Sequence, residues 1–176
     1  MATSPTAADI ESIERATLTA VAPEQIDAID GWLLPMDPGT VGRAHSAVPL
    51  HHGPHDPALI GTIAQRYRKA GLRPVLRLPD VPAFEPWWPE LRAQGFRREQ
   101  PTLTQTGALG GLLALAPNAD GVSLDPRPDA AWMAMFLGEG MDPVDGASRS
   151  KALSRAEGTL FASLRQGGET LACGAA

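Results

Sequence analysis

The fold of this chain is decided by the stretch Asp30-Gly31-Trp32-Leu33-Leu34 together with Arg43-Ala44-His45-Ser46-Ala47-Val48-Pro49-Leu50. Between them lies Asp37-Pro38-Gly39-Thr40, in which the glycine accepts a positive φ and favours a type II turn. We therefore predict a β-hairpin whose strands cover residues 26–36 and 41–50. Pro35 cannot donate a ladder hydrogen bond, so its strand should be interrupted or lie at a sheet edge there.

Helices and further strands are predicted on both sides of this hairpin. Apolar spacing predicts a helix over about 6–21 before it. Asp56-Pro57 starts a second helix, because a carboxylate caps the first turn and proline suits the first helical position. Gly71 supplies the left-handed residue that ends it. The later pattern predicts a buried strand over 72–78, a short helix over 87–94 and a strand over 96–106.

The composition changes over residues 107–121, which are rich in Gly, Ala and Leu and predict a linker. A strand over 122–124, helices over 129–137 and 143–157, and a hairpin over 159–164 and 169–175 are predicted after it. The predicted domains are therefore a first domain over 1–106, a linker over 107–121 and a second domain over 122–176.

Several of these strings resemble those of the tandem GNAT-type N-acetyltransferases. That family has Asp-Gly-Trp, then Arg-Ala-Asn-Ser, then Pro-Leu, where this chain has Asp30-Gly31-Trp32, Arg43-Ala44-His45-Ser46 and Pro49-Leu50. His45 and Pro35 depart from the family's usual Asn and Arg. The resemblance implies an α+β fold, with a GNAT-like mixed sheet flanked by helices. It also implies a degenerate first half, followed by the start of a second, incomplete GNAT half.

The activity implied by the resemblance is transfer of an acetyl group from acetyl-CoA to an unidentified amine, which would be a small-molecule substrate. The family binds the cofactor's pyrophosphate at a helix N-terminus, through a loop with the signature [Gln/Arg]-x-x-Gly-x-[Gly/Ala]. Arg155–Leu160 and Arg165–Thr170 each fail this signature at the last position. No cofactor-binding or catalytic residue can therefore be carried over, and we expect the chain alone to be inactive. The alternative is a non-catalytic GNAT-like module that binds a ligand or a partner.

Three residues of the deciding stretch are candidates for binding the substrate. Arg43 and Ser46 could line a polar pocket, although an exposed strand face is the competing interpretation. Trp32 could present its ring to a substrate, although a place in the core of the first half is the commoner role for such a residue. We predict substrate binding by Trp32, Arg43 and Ser46.

The histidines and the single cysteine are not expected to form a functional centre. His51, His52 and His55 share a loop with Asp56, but their spacing fits no standard zinc site, so we predict no metal. Cys173 excludes an internal disulfide and is expected to be a small buried residue in a strand.

Charge and hydropathy exclude two classes of partner. A net charge of −5 argues against a large nucleic-acid interface, which needs a basic face. The most apolar stretch, 107–117, is too short to span a bilayer, and Met1–Ala8 lacks the features of a signal peptide. We therefore expect a cytoplasmic protein that binds neither nucleic acid nor a membrane.

The final strand pattern predicts self-association. After Glu169 the segment has no charge and no proline, and these are the residues that usually protect an exposed strand edge. We expect this edge to pair with another copy or another polypeptide, or else the last residues to be disordered.

Overall fold

The computed structural model describes residues 5–115 and 120–176 of the chain. Residues 1–4, on which the signal-peptide prediction partly rests, and residues 116–119 of the predicted linker lie outside that range. Helices and short antiparallel strands alternate along the described chain, which confirms the α+β class. In chain order the elements are α1 (Ala7–Val21), β1 (Gln25–Ile29), β2 (Trp32–Met36), β3 (Val48–Pro49), α2 (Leu59–Lys69), α3 (Trp87–Ala93), α4 (Leu109–Leu115), β4 (Val122–Asp125), α5 (Ala130–Leu137), α6 (Pro143–Arg155), β5 (Phe161–Gln166) and β6 (Glu169–Ala175).

Two compact units interleave along the sequence. Within the described residues, unit 1 contains residues 5–96 and 141–157, so α6 packs with the elements that begin the chain. Unit 2 contains residues 97–140 and 158–176. This division groups residues by their contacts and does not show which segments belong to one evolutionary domain. The predicted domain boundaries at 106 and 121 therefore stay a prediction.

The hairpin of unit 1 turns at a different place from the one predicted. Strands β1 and β2 pair around Asp30-Gly31, whose φ values of 43° and 80° suit a two-residue turn with positive φ at both positions. The segment expected to be one strand over 26–36 is therefore itself a hairpin. Residues 37–47 lead through a short 3-10 turn, Gly42–Ala44, to β3 rather than forming a strand over 41–50.

β2 is the middle strand of this three-stranded sheet and runs without interruption through Pro35, where its β3 side is a local edge, as predicted. The pairing of β2 with β3 covers only Trp32 and Leu33, which leaves Pro35 without a partner on that side in the described ladder. The carbonyl of Pro35 instead accepts a hydrogen bond from the Tyr67 hydroxyl at 3.0 Å. The proline is thus tolerated because the missing amide is not needed there.

The core of unit 1 forms where α2 and α3 pack on β2. Asp56 accepts from the Ala58 amide at 2.9 Å in the turn before α2. The helix begins at Leu59 with Ala58 as its N-cap and no capping side chain, so the predicted cap at Asp56 and helix start at Pro57 are wrong by about two residues. Gly71 follows the helix with a φ of 74°, as predicted. Gly95, with a φ of 82°, likewise follows α3. The buried cluster consists of Trp32, Leu34, Met36, Ala47, Ile60, Ile63, Tyr67, Phe84, Trp87 and Leu91.

Two predictions for the middle of the chain are wrong. Residues 72–78 contribute only an isolated parallel bridge, between Ala47 and Leu76, because Pro74 and Pro79 cannot donate to a ladder. Residues 97–106 form no strand and are exposed. Within the predicted linker, residues 109–115 form a helix, α4, that includes Gly110 and Gly111. The role of residues 107–121 as a linker stays a prediction.

Helix α6 is held in unit 1 by polar contacts. Asp37 is almost fully buried and accepts hydrogen bonds from the amides of Glu24 and Gly39 and from the Arg155 guanidinium. Arg155 also donates to the Ala22 carbonyl at 2.8 Å. A short contact between α6 and Gly39 adds a steric demand, because a Cβ at Gly39 would lie 2.4 Å from the Ser148 hydroxyl oxygen.

Unit 2 is built around one tryptophan. The sheet order is β4-β5-β6, and the side chain of Trp132 from α5 is buried against it. Its indole N–H donates to the Ala162 and Gly174 carbonyls, at 2.9 and 3.3 Å, and its ring meets Phe161 edge-on. The predicted β4 strand, both helices and the β5–β6 hairpin are confirmed.

Candidate functional site

Polar side chains of unit 1 gather on one face of the Ala47–Leu76 bridge. The Ala47 amide donates to the Val75 carbonyl at 2.9 Å, and the Arg77 amide donates to the Ala47 carbonyl at 2.8 Å. Because side chains alternate along extended backbone, Ser46 and Arg77 project from the face opposite Ala47 and Leu76. The bridge therefore brings together two polar residues that are 31 positions apart in sequence numbering, 46 and 77.

Helix α1 covers this face and adds a carboxylate. Leu18 packs on Leu33 and Val48, and Glu14 lies one helical turn earlier on the same stripe. The Glu14 Oε2 atom is 2.9 Å from Arg77 Nη2, and the two side chains are only 16% and 27% exposed. We call Glu14, Arg43, Ser46, His52 and Arg77 the Arg77 cluster.

Several donors of the Arg77 cluster have no hydrogen-bond partner among the described residues. The Ser46 hydroxyl is buried and unpaired, and so is the Arg77 Nε. The Glu14–Arg77 contact is an ion pair by distance, but its two atoms are not aligned as a hydrogen bond. A buried polar group without a partner costs about 1–3 kcal/mol. A ligand that hydrogen-bonds to these groups would remove that cost, which would favour its binding.

The cluster carries more positive than negative charge. Burial lowers the pKa of Arg77, Glu14 opposes this shift, and the nearby Arg43 guanidinium lowers the pKa further. Burial also lowers the pKa of His52 below 6.5, against the opposing effect of Glu14, so this imidazole is mainly neutral at pH 7. The cluster thus has two guanidinium groups and one carboxylate, and the carboxylate contacts Arg77.

Trp32 belongs to a separate aromatic core. Its ring is fully buried, stacks on Trp87 at 5.0 Å between centroids and meets Phe84 edge-on at 6.1 Å. Ser46 thus lies on the face of the bridge that carries Arg77, Arg43 acts on the charge of Arg77, and Trp32 lies in the interior of the unit. Substrate binding by these three residues remains a prediction.

His55 packs against this aromatic core, and both of its ring nitrogens are hydrogen-bonded. Its Nδ1 accepts from the Trp32 indole N–H at 3.1 Å, so the proton must be on Nε2, which lies 3.1 Å from the His51 carbonyl. Burial lowers the pKa of His55, although the bond to His51 opposes the shift, and charge on His51 or His52 lowers it further. Protonation at Nδ1 would leave the indole N–H without an acceptor.

The free energy of unfolding is expected to fall as the pH is lowered below about 6.5. The unfolded chain would take up protons at His55 and His52 that the folded chain resists, since both folded-state pKa values are lowered. The loss continues until the pH passes the folded pKa values. Urea unfolding at a series of pH values measures the slope. The variant His55→Asn keeps an acceptor oxygen near the Nδ1 position and should reduce the slope; an unchanged slope would contradict this assignment.

The other histidines do not form a metal centre in the described part of the chain. His51 and His55 stack at 4.1 Å between centroids, and His51 Nδ1 accepts from the Gly53 amide. No group of three or more His, Cys, Asp or Glu side chains among residues 5–115 and 120–176 is arranged to hold a metal ion. The absence of a bound metal stays a prediction. Cys173 is a half-buried free thiol in β6.

Neither of these two approximate matches to the pyrophosphate-loop signature leads into the N-terminus of a helix. Arg155–Leu160 runs from the end of α6 to β5, and Arg165–Thr170 forms the turn between β5 and β6. Backbone amides at a helix start are what makes an anion site there, and neither segment begins a helix.

Comparison with known proteins assigns the chain to a family. A family model described as "Probable histone acetyltransferase Rv0428c C-terminal" matches residues 7–175. The chain belongs to this family. No curated protein and no solved structure gives a significant match.

Membership of a family described as an acetyltransferase supports a transferase of acyl groups as the broad class, and makes acetyl-CoA a plausible cofactor. The match extends over both units, so the residues of the Arg77 cluster all lie within it. Among the residues that the structure describes, no helix is long and apolar enough to cross a membrane.

Sequence reasoning did not single out Glu14 or Arg77. Glu14 occupies the stripe between the buried residues Ile10 and Leu18, where an acidic residue on an apolar helix face is a detectable anomaly. Arg77 is the one charged residue among the otherwise apolar positions 75–78, which is a second anomaly of the same kind. A charge in a segment predicted to be buried needs a partner, and that requirement was the available signal.

Proposed function

We propose that this chain is part of a tandem GNAT-type N-acetyltransferase that transfers an acetyl group from acetyl-CoA to an amine. The family match over residues 7–175 carries the proposal, because the family is described as a probable histone acetyltransferase. The strings around Asp30-Gly31-Trp32 and Arg43–Ser46 support the tandem arrangement by resemblance. The succession of β4, α5, α6 and the β5–β6 hairpin supports a second GNAT half.

In this proposal the Arg77 cluster belongs to the recognition of the acceptor. Arg43 is exposed and lies beside the largely buried Arg77, so the cluster has one side open to solvent. An acceptor that presents an amine elsewhere and an acidic group here would be oriented by it. Trp32, in the interior, would support the site by packing.

The test is an acetyl-transfer assay on the complete polypeptide that the gene encodes, with residues 1–176 assayed alongside. Release of coenzyme A from acetyl-CoA is followed with a thiol reagent, in the presence of lysine-containing histone-tail peptides, a polyamine or an amino sugar. We expect release that depends on one class of amine, with an acetylated product seen by mass spectrometry. The absence of amine-dependent release across all three classes would overturn the proposal.

The second candidate is a non-catalytic GNAT-like module that binds a ligand or partner. The observation in its favour is that no segment of the printed sequence matches the pyrophosphate-loop signature. Both candidates share the fold and the Arg77 cluster, and they differ in whether a nucleotide cofactor is bound.

Residues 1–176 by themselves are expected not to bind acetyl-CoA with micromolar affinity. The physical reason is the missing loop, since the pyrophosphate would find no set of unpaired amides at a helix start. Calorimetric titration of the chain with acetyl-CoA measures this, with desulfo-coenzyme A as a matched control for nucleotide binding. A saturable micromolar isotherm would show that another segment holds the cofactor.

A further inference from the structure

We propose that the Arg77 cluster is a binding site for a small oxyanion, either a carboxylate or a phosphate group. The proposal does not depend on acetyl transfer, because it rests only on the side chains that unit 1 brings together. It assigns Arg77 and Ser46 as the buried donors of the site and Arg43 as the donor at its solvent side.

The unpaired donors define what the site lacks. The Ser46 hydroxyl is 3% exposed and has no partner among the described residues, and the Arg77 Nε is buried and also unpaired. Ser46 and Arg77 project from the same face of the bridge at Ala47. Two unpaired donors on one face can be satisfied together by a group with two acceptor oxygens.

The charges select an anion over a cation. Arg77 lies under the influence of the positive charge of Arg43, while Glu14, 2.9 Å from Arg77 Nη2, is the one carboxylate of the cluster. A cation would bring a third positive group to this place. An oxyanion would neutralise the excess positive charge and strengthen its own hydrogen bonds, because bonds between ionised partners are about twice as strong as neutral ones.

The shape of the donors favours an oxyanion over a halide. A guanidinium presents its N–H groups as a planar fork that matches the oxygens of a carboxylate or a phosphate. Arg43 is an exposed residue of the 3-10 turn Gly42–Ala44, and the Arg77 side chain is 27% exposed. A ligand would therefore approach from the side of Arg43, where Gly42 and Arg43 are exposed.

Substitution of Glu14 distinguishes competition with the anion from a role in supporting the fold, because the two predict opposite changes in anion affinity. In the unliganded chain its carboxylate is 2.9 Å from Arg77 Nη2, so it competes with any incoming anion for the same guanidinium. Replacing Glu14 with glutamine keeps the shape and removes the competing charge. Anion affinity should then rise, whereas a residue that only supports the fold would lower it or leave it unchanged.

The experiment is a titration of residues 1–176 with inorganic phosphate and, separately, with acetate, at constant ionic strength. The readout is the ¹⁵N–¹H signal of the arginine Nε groups, assigned with single variants. We expect saturable shifts of the Arg77 signal with at least one anion. Arg43→Ala should weaken binding about tenfold, the equivalent of one lost charge-assisted hydrogen bond, and Glu14→Gln should strengthen it.

The matched control is Arg66→Ala, which removes an exposed arginine of α2 that pairs with Asp27 in the same unit. It changes the net charge as Arg43→Ala does and should leave anion affinity unchanged. Binding of only phosphate or only acetate supports the proposal and identifies the source of the oxyanion. Absence of saturable shifts with both anions, equal losses in the two arginine variants, or weaker binding in Glu14→Gln would each overturn it.

Discussion

Replacing Asp37 with alanine is expected to lower the free energy of unfolding of unit 1 by about 3 kcal/mol. Asp37 is only 5% exposed, and its carboxylate accepts from two backbone amides and from the Arg155 guanidinium. Removal of the carboxylate leaves those amides without an acceptor and leaves Arg155 without its buried counterion. The loss of one partner from a buried ion pair costs far more than the pair itself contributes.

A matched comparison is available in the same unit. Asp27 pairs with Arg66, but the Asp27 side chain is 42% exposed and the Arg66 side chain is 38% exposed. Asp27→Ala should therefore cost less than about 1 kcal/mol, as is usual for a surface ion pair. The two aspartates differ in burial and in the two backbone amides that only Asp37 accepts from, so the contrast measures these two effects together.

The measurement is urea unfolding followed by tryptophan fluorescence in a Trp132→Phe background. In that background the signal comes from Trp32, Trp87 and Trp88, all of which are in unit 1. The double variant Asp37→Ala with Arg155→Ala completes a cycle that measures the coupling between the two side chains. Equal losses for Asp37→Ala and Asp27→Ala would show that the contacts holding α6 do not contribute to stability.

The contacts of Asp37 also show where sequence reasoning reached its limit. Local signals were interpreted correctly where one residue and its neighbours decide the structure. Gly71 follows α2 and α6 begins at Pro143, both as predicted, because left-handed residues and prolines at a helix start act over a few positions. The packing of α6 with unit 1 depends on residues more than 100 positions apart, such as Asp37 and Arg155. No local pattern contains that information.

The misplaced hairpin has a local cause. Asp30-Gly31 and Pro38-Gly39 both favour turns, and the predicted hairpin turns at the second of them. Asp-Gly is the stronger signal for a two-residue turn with positive φ at both positions, whose twist matches that of paired strands. Gly39 instead allows α6 to pack closely against this loop, because a Cβ at Gly39 would collide with Ser148. Its φ is not in the left-handed region, so its role could not be inferred from turn statistics.

The Arg77 cluster was predictable in part. Arg43 and Ser46 are polar residues near the end of the predicted strand; Ser46 shares a face with the buried guanidinium of Arg77, and Arg43 acts on its charge. Substrate binding by them stays a prediction. Their partners come from α1 and from the bridge at Leu76, and the single bridge replaces the longer strand expected over 72–78. The face that Ser46 shares with Arg77 follows from that pairing, which the sequence did not specify.

Unit 2 exposes an apolar sheet face, which bears on the predicted self-association. The register aligns Val122 with Leu164 and Leu164 with Ala172, so these side chains form a row across all three strands. Val122 and Leu124 are 42% and 62% exposed. The opposite face is the one that Phe161 and Ser163 share with Trp132, and it is buried. One side of this small sheet is therefore covered and the other is not.

We propose that a second copy of this chain pairs with the free edge of β6 and covers this face. Among the described residues β6 pairs only with β5, so its outer amides and carbonyls lie at an edge. Edges of this kind are usually protected by charge or proline, and β6 has neither after Glu169. Pairing of two β6 strands across a two-fold axis would make one six-stranded sheet, and apolar burial stabilises it by about 25 cal/mol per Å².

Size-exclusion chromatography with light scattering is expected to show a dimer, and Leu171→Lys is expected to shift it to a monomer. Leu171 lies in β6 and is half exposed, so a lysine there can be solvated in the monomer but would be buried against the partner strand. Leu103→Lys is the control, since Leu103 is more exposed still and lies outside the sheet; it should leave the dimer intact. Hydrogen exchange over residues 171–175 should slow with protein concentration in the wild type and not in Leu171→Lys. A monomer whose amides over 171–175 are nevertheless strongly protected would contradict the proposal, because the protection would then come from within one chain.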